Sequence, residues 1–442
     1  MPKRFFVAIP FLLASGISVA QTEQTDNPAA ATVKSKKAAA KKAVAPASAS
    51  APVSIPDVPP AVEPVTPLAA AAEASAAKGG ADKAAPPAAT VAPEQPVFKF
   101  GGFATVGVSH SSLSSADYVV DTAMPKGVGR SKSWSERNNS RAAAHVTADF
   151  TPKVSAILQV DSEYRHDGTY RPEIEWFNVK YAFTPNFYVR AGRIALPTFM
   201  DSENRDVGYS YVWVNPPVDL YHQLSIPSSD GVDAMYRFEI GEAGNSIKAI
   251  YGRNTEERPT SKSTSKEMFG VFDTLEYGQA LFHVAYQQRR TSTENLLTGV
   301  TGAWHRESDI SVGASYDPGN WFVMSEWIQR RSTTKIGAMY VSGGYRINKF
   351  TPYLLYSQNS PGSFYSSSIP PTAAAIDRAK RSQSTASVGV RWDFMRNFDF
   401  KIQYDQVKLS DNSNGYLVNI APNVSLHGSK FHVISAVVDF VF

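Results

Sequence analysis

The sequence of 442 residues contains no cysteine, which excludes disulfide bonds and thiolate metal sites. It also lacks any run of about 18 to 20 apolar residues, the length that a membrane-spanning helix needs. The net charge is only +4, without a long basic stripe, so we expect no nucleic-acid partner. The mean hydropathy of −0.24 is typical of soluble proteins. A membrane β-barrel has a similarly low value, because its apolar lipid-facing residues alternate with polar lumen-facing ones.

The chain divides into three zones of different composition. Residues 1–20 begin with the basic residues Lys3 and Arg4, continue with an apolar stretch and end in small residues. This pattern predicts a cleavable signal peptide. Residues 21–95 are rich in Ala, Pro, Lys and Ser and contain no aromatic residue, so they cannot bury enough apolar surface to fold. We interpret them as a disordered periplasmic linker, either a plain spacer or a segment that touches anionic peptidoglycan. Residues 96–442 have the composition of a folded unit.

Apolar and polar residues alternate with a period of two throughout residues 96–442, which predicts β-strands. Between positions 141 and 150, one face is apolar and the other carries Arg141, His145 and Asp149. The same alternation recurs in residues 154–163, 386–394 and 398–405. The fold class is therefore all-β.

Two classes of connection separate the strands. Short turns are expected at residues 151–153, 184–186, 241–245, 276–278, 317–320, 348–349 and 395–397. Longer polar segments are expected at residues 110–139, 195–229, 254–265, 289–303, 359–383 and 409–428, with two shorter members of this class near Asp167 and Ser332. Short turns on one side and long loops on the other, with aromatic residues beside the turns, are typical of an up-and-down antiparallel outer-membrane barrel. The count is 16 strands, which puts both termini on the periplasmic side.

The C-terminus carries the most specific local pattern. Alternating apolar residues end in Phe440 and Phe442. A last strand of this kind resembles the signal by which the barrel assembly machinery inserts outer-membrane proteins. These two residues are therefore predicted to form an assembly signal.

Residues 97–442 resemble the general trimeric porins of Gram-negative bacteria. The resemblance rests on the opening strand at 98–103, the Val-Arg-Ala-Gly-Arg strand at 189–193 and the closing strand. It implies a homotrimer in contact with outer-membrane lipid and lipopolysaccharide, and passive diffusion of ions and small hydrophilic solutes. It also implies that the loop after the fifth strand, residues 195–229, folds into the barrel and narrows the pore. That loop lacks the Pro-Glu-Phe-Gly-Gly type of motif common in classical constriction loops.

A 16-stranded barrel is too wide for its wall side chains to fill, so its selectivity should depend on charged residues at a narrow point. The constriction loop is predicted to contribute Asp201, Glu203, Arg205, Asp206 and Asp219. The opposing basic wall is predicted to contribute Arg141, His145, Lys180, Arg237 and Lys248. Facing acids and bases would create a transverse field that orients polar solutes.

Three other functions compete with general diffusion. A channel selective for sugars or organic acids is the nearest, since Tyr209, Tyr211, Trp213 and Tyr221 could form a stacking track for solutes. A structural peptidoglycan anchor would need a folded binding domain, which the composition of the linker does not suggest. An enzyme is disfavoured because the histidines are scattered and no Gly-x-Ser-x-Gly motif occurs. We expect neither catalytic residues nor a metal or other cofactor.

Overall fold

The structure, a computed structural model, describes residues 95–223, 227–332, 334–360, 362–364 and 381–442. The predicted signal peptide and nearly all of the predicted linker lie outside these residues. Within the described part of the chain, no helix is long and apolar enough to cross a membrane.

Sixteen long strands follow one another along the chain. They are β1 (Val97–Ser111), β2 (Arg141–Thr151), β3 (Val154–Glu163), β4 (Glu173–Thr184), β5 (Phe187–Ala195), β6 (Ser228–Ile240), β7 (Ala243–Arg258), β8 (Ser261–Tyr277), β9 (Ala280–Asn295), β10 (His305–Tyr316), β11 (Trp321–Arg331), β12 (Thr334–Tyr345), β13 (Phe350–Asn359), β14 (Gln383–Met395), β15 (Phe398–Leu409) and β16 (Lys430–Val441). Each pairs antiparallel with the next, and β1 pairs with β16 from Phe103↔Val441 to Ser111↔Val433. The sheet therefore closes into a barrel with no free edge, as the sequence predicts.

The short turns lie at one end of the barrel. In five of them a residue has positive φ, among them Gly241 at +63°, Gly278 at +59° and Asn397 at +64°, a conformation that glycine and asparagine tolerate. Aromatic rings flank these turns on the outside, for example Phe183 against Phe187 and Tyr316 against Trp321, with ring centroids 5.3 and 5.5 Å apart. Amphipathic rings at this position are typical of a membrane interface.

The other eight connections leave the strands at the opposite end of the barrel, and we name them L1 to L8 in chain order. They comprise residues 112–140, 164–172, 196–227, 259–260, 296–304, 332–333, 360–382 and 410–429. The predicted long connection at 254–265 is wrong, because β7 and β8 stay paired out to Arg258↔Ser261. Alternation does not show how far a hairpin of polar residues extends beyond the membrane.

Two of these loops join above the β1–β16 side of the barrel. The backbones of Asp117 in L1 and Val418 in L8 exchange hydrogen bonds of 2.9 and 3.0 Å. Arg130 donates to the backbone carbonyl of Asn419, and an apolar cluster that includes Tyr118 and Leu417 packs beneath. L1 and L8 therefore cover one part of the mouth.

Candidate functional site

The loop L3 turns into the barrel and packs against one side of its wall. Phe199, Trp213 and Leu220 form a buried cluster with inward residues of β11, β12 and β13, among them Tyr340 and Leu355. Trp213 is 0% exposed. The rings of Tyr340 and Trp213 meet edge to face, with centroids 5.5 Å apart. The apolar residues of L3 thus define the face that rests on the wall.

Polar contacts hold the same face of L3. Trp213 Nε1 donates to Ser342 Oγ at 2.8 Å. The carboxylate of Asp219, which lies in the single helical turn α1 (Val218–Tyr221), accepts hydrogen bonds of 2.7 Å from Ser357 and Gln383. The buried carboxylate therefore has neutral partners, and burial raises the pKa of Asp219.

The middle of L3 approaches the wall so closely that a glycine is needed. Lys401 Nζ donates to the carbonyl of Gly208 at 2.6 Å, and Arg391 donates to the carbonyls of Tyr209 and Tyr211 at 2.8 and 3.1 Å. A Cβ atom on Gly208 would lie 1.9 Å from a carboxylate oxygen of Asp439. A larger residue fits only if L3 or the buried side chains of Asp439 and Thr105 move.

The wall from β2 to β9 lines two cavities, although the start of L3 also packs on it, with Leu196 buried against Ile250 and Phe272. One of about 560 Å³ lies at the extracellular end among L1, L2, L3 and the end of β7. The other, of about 360 Å³, lies towards the short turns and is lined by wall residues such as His145, Lys180, Arg237 and Lys248. Asp206 of L3 lines both cavities. The passage between them therefore runs past Asp206.

Ion pairs connect L3 to the wall from β2 to β9 at this passage. Asp206 lies 3.6 Å from Arg141 and 3.5 Å from Arg205. Glu203 lies 2.6 Å from Lys248 and 3.8 Å from Arg190. Burial raises the pKa of Glu203, but the nearby Lys248 and Arg190 outweigh it, so that the pKa is lowered overall. Both carboxylates thus face cations across the lumen.

Two of the predicted loop acids lie away from the passage. Asp219 is on the wall side of L3, as described above, and Asp201 sits near the buried Glu326, whose carboxylate accepts a 2.8 Å hydrogen bond from the Met200 backbone. Neither acid lines either of the two cavities. Burial raises the pKa of Asp201 to about 6.

The predicted aromatic stacking track is wrong. Trp213 is fully buried, Tyr211 is 5% exposed, and Tyr221 packs against Phe199 with ring centroids 4.7 Å apart. The Arg391 guanidinium lies 4.7 Å from the centre of the Tyr209 ring. These contacts hold the loop, and of the four rings only Tyr221 lines one of the two cavities, so they do not form a continuous track.

Among the described residues, no group of three or more His, Asp or Glu side chains is arranged to hold a metal ion. What the arrangement offers is two cavities that share Asp206, with fixed charges of both signs on L3 and on the wall. Such a path acts by size and by electrostatic barriers.

A family model of Gram-negative porins matches residues 65–421. The chain belongs to the Gram-negative porin family. It is therefore a passive diffusion channel of the outer membrane, and the predicted family, function and location are confirmed. Family and fold indicate a channel rather than an enzyme. No curated protein matches this porin significantly in sequence.

Several solved structures resemble the barrel at low sequence identity. The outer membrane channel DcaP of Acinetobacter baumannii is 10% identical, covering 79% of this chain and 98% of its own, with a TM-score of 0.51. OmpT of Vibrio cholerae is 13% identical, covering 79% and 98%, with a TM-score of 0.49. An anion-selective porin from Comamonas acidovorans is 12% identical, covering 79% and 100%, with a TM-score of 0.48. At this identity the DcaP likeness shows the fold alone.

Sequence reasoning missed several charged residues of the porin lumen, among them Arg190, Glu256 and Glu175. Arg190 forms a 2.6 Å ion pair with Asp233 besides facing Glu203. Glu256 lines the extracellular cavity, and extending the alternation of β7 to its end would have found it. Glu175 also lines that cavity, but through a β-bulge that the sequence pattern does not reveal.

Proposed function

We propose that this porin is a general diffusion channel whose narrowest point lies between Glu203, Arg205 and Asp206 on L3 and the basic residues of the wall from β2 to β9. The supporting observation is that Asp206 lines both cavities and lies 3.6 Å from Arg141. Charges at such a point act where water is scarce and screening is weak. They would orient polar solutes and repel ions of like sign.

The cavity on the periplasmic side has more cationic than anionic residues. Lys99, Lys180, Arg190, Arg237 and Lys248 line it, against Asp149, Glu203 and Asp206. His145 adds a further group that can become cationic. We infer a modest preference for anions, without a binding track for one class of sugar or aromatic acid.

The constriction is tested by the double variant E203Q/D206N in planar bilayers under a KCl gradient. Loss of both carboxylates removes the acidic L3 partners of Arg141, Lys248 and Arg190, so the reversal potential should move further towards the anion side. D411N, at an exposed acid of L8, is the matched control and should leave the reversal potential unchanged. An unchanged potential in the double variant would mean that L3 does not set the narrow point.

Asp201 and Asp219 have a different role in this proposal. Asp219 acts as a positioning residue because it binds Ser357 and Gln383 of the wall, and neither acid lines the two cavities. D201N should therefore change ion selectivity much less than D206N does, although both remove one charge from the same loop.

We also propose a homotrimer, with the barrel exterior in contact with outer-membrane lipid and lipopolysaccharide. Exposed apolar residues such as Val106 and Leu354 on the outer face support the contact with lipid. Phe440 and Phe442 would act as the assembly signal read by the barrel assembly machinery. A monomeric mass in mild detergent would contradict the trimer.

For the N-terminal region we propose the division made from composition. Residues 1–20 would be a signal peptide, residues 21–95 a periplasmic linker, either a plain spacer or a segment in contact with peptidoglycan, and residues 96–442 the barrel. No catalytic step is part of the proposal. Sequencing the mature N-terminus tests the first boundary, which we place before Gln21.

A further inference from the structure

The extracellular cavity contains arginines and carboxylates in equal number. Most of the carboxylates at its edge are already paired. Arg165 lies 3.4 Å from Glu163, and Arg171 lies 2.9 Å from Glu173. These pairs fix the L2 side of the cavity and leave few charges available to a solute.

Two carboxylates of the cavity are available. Among the described residues, neither Glu175 nor Glu256 has an ion pair within 4 Å or a side-chain hydrogen bond. Glu256 projects from β7 between Asn254 and Arg258, which line the same cavity. An uncompensated carboxylate in a confined site attracts a cationic group.

The position of Glu175 results from a local irregularity. Gln159 pairs with Trp176 and Val160 with Ile174, so Glu175 is the extra residue of a β-bulge between β3 and β4. Bulges re-aim a side chain and are common beside functional sites. Here the bulge lets Glu175 line the extracellular cavity while its neighbour Trp176 lines the other.

Two arginines of the cavity complement these acids. Arg258 donates to Thr122 Oγ1 at 2.9 Å, and within the described part of the chain no carboxylate lies within 4 Å of it. Among the described residues, Arg205 has one ion pair, the 3.5 Å contact with Asp206. Burial lowers the pKa of Arg205, but Asp206, Glu175 and Glu163 outweigh it and raise the pKa overall, which places Arg205 in the field of Glu175.

Two buried amides point to a ligand that donates hydrogen bonds. Asn138 and Asn254 line the cavity and are 4% and 9% exposed. The amide oxygen of each lacks a hydrogen-bond partner among the described residues, whereas the amide nitrogens donate to the carbonyls of Tyr118 and Ser228. Buried polar atoms are normally satisfied, and an ammonium group supplies three donors.

We propose that the extracellular cavity is a binding site for zwitterionic solutes of the amino-acid or short-peptide class. Glu175 and Glu256 bind the ammonium group, and Arg205 and Arg258 bind the carboxylate. A solute with only one charge meets like charges on one side of the cavity, whereas a zwitterion matches both. Binding in this cavity does not depend on the proposed channel. Only the next step, in which the bound solute passes Asp206, rests on the proposed function.

Calorimetric titration of the refolded full chain in detergent tests the site without any need for conductance. The probes are the dipeptide Ala-Phe, its N-acetyl form without the ammonium, and its amide without the carboxylate. We expect Ala-Phe to bind at least about tenfold more tightly than either derivative, since each lacks one charge-assisted contact. In E175Q/E256Q the Kd of Ala-Phe should rise about tenfold or more.

E239Q/E242Q is the matched control, because it removes two exposed glutamates near the periplasmic turn and should leave the Kd unchanged. Heat-modifiable gel migration shows whether each variant is folded. Equal affinity for the three peptides, or an unchanged Kd in E175Q/E256Q, would overturn the site. A protein that conducts ions in bilayers yet gives no binding heat would refute the binding site but not the proposed channel. A protein that binds Ala-Phe yet conducts no ions would refute the proposed channel but not the binding site.

Discussion

Single residues of L3 divide into those that face the passage and those that hold the loop. Asp206 and Asp201 lie five positions apart and have the same charge, yet one lines both cavities and the other lies near buried Glu326. The sequence predicted that acids of this loop face a basic wall, and Glu203 and Asp206 do so. It could not separate them from Asp201 and Asp219, because an irregular loop has no period from which side-chain direction can be read.

The close contact between Gly208 and Asp439 can be tested with a single substitution. G208A would place a Cβ atom 1.9 Å from a carboxylate oxygen of Asp439. Asp439 is itself held by Lys401 and Thr105, so we expect L3 to move away and to weaken the bond between Lys401 and the Gly208 carbonyl. We expect a higher single-channel conductance and more current noise, while heat-modifiable migration remains. G302A is the control, since a Cβ atom there lies 3.3 Å from its nearest neighbour, the Thr293 carbonyl, in an outer loop. Wild-type conductance in G208A would show that the loop adapts without moving.

The raised pKa of Asp201 predicts a pH dependence. Its pKa is about 6 in the folded protein against an ordinary 3.8, so the folded state holds the proton more tightly than the unfolded state. The contribution of Asp201 to the free energy of unfolding is therefore fully present below about pH 4 and is lost as the pH rises through 6. The loss is at most about 3 kcal/mol. D201N should remove this part of the dependence. Melting temperatures at pH 4, 5, 6 and 7 test it, and parallel curves for both proteins would contradict it.

At the scale of elements, alternation and turn residues were enough to predict the strands and their order. The hairpin of β7 and β8 was missed because Asn254 to Ser265 are mostly polar, and a solvated β-ribbon needs no apolar face. The Glu175 bulge was missed because its cause is a register shift between two strands. Such features depend on pairing partners that a single strand does not specify.

The apolar face of L3 should be the main contribution to its position. W213A removes a fully buried ring and its hydrogen bond to Ser342, a change that typically costs about 3 to 5 kcal/mol. We expect the barrel to remain assembled because its strand pairing is untouched, and the channel to conduct more because L3 is released. W304A, at an exposed ring in L5, should change neither property. Loss of heat-modifiable migration in W213A alone would show that the loop is needed to form the barrel itself.

At the scale of the whole molecule, the closed sheet makes the barrel independent of the region before it. The strand β1 begins at Val97, and the pairing of β1 with β16 completes the barrel. Deleting residues 21–85 should therefore leave insertion and conductance unchanged, as measured by outer-membrane fractionation and bilayer recording. Failure of the shortened chain to fold would show that the segment has a structural role.

The contacts of L3 with strands late in the chain affect the order of events during biogenesis. The loop follows β5, but Trp213, Leu220 and Gly208 rest on residues that belong to β11 through β16. When the first five strands and the loop have left the inner membrane, the wall that receives the loop has not yet arrived. Its apolar face then stays uncovered over a sequence separation of more than a hundred residues, a situation that slows folding and favours aggregation. The unfolded porin should therefore depend on periplasmic chaperones until its last strands are in place, and the pore should acquire its final width in the same step that closes the barrel.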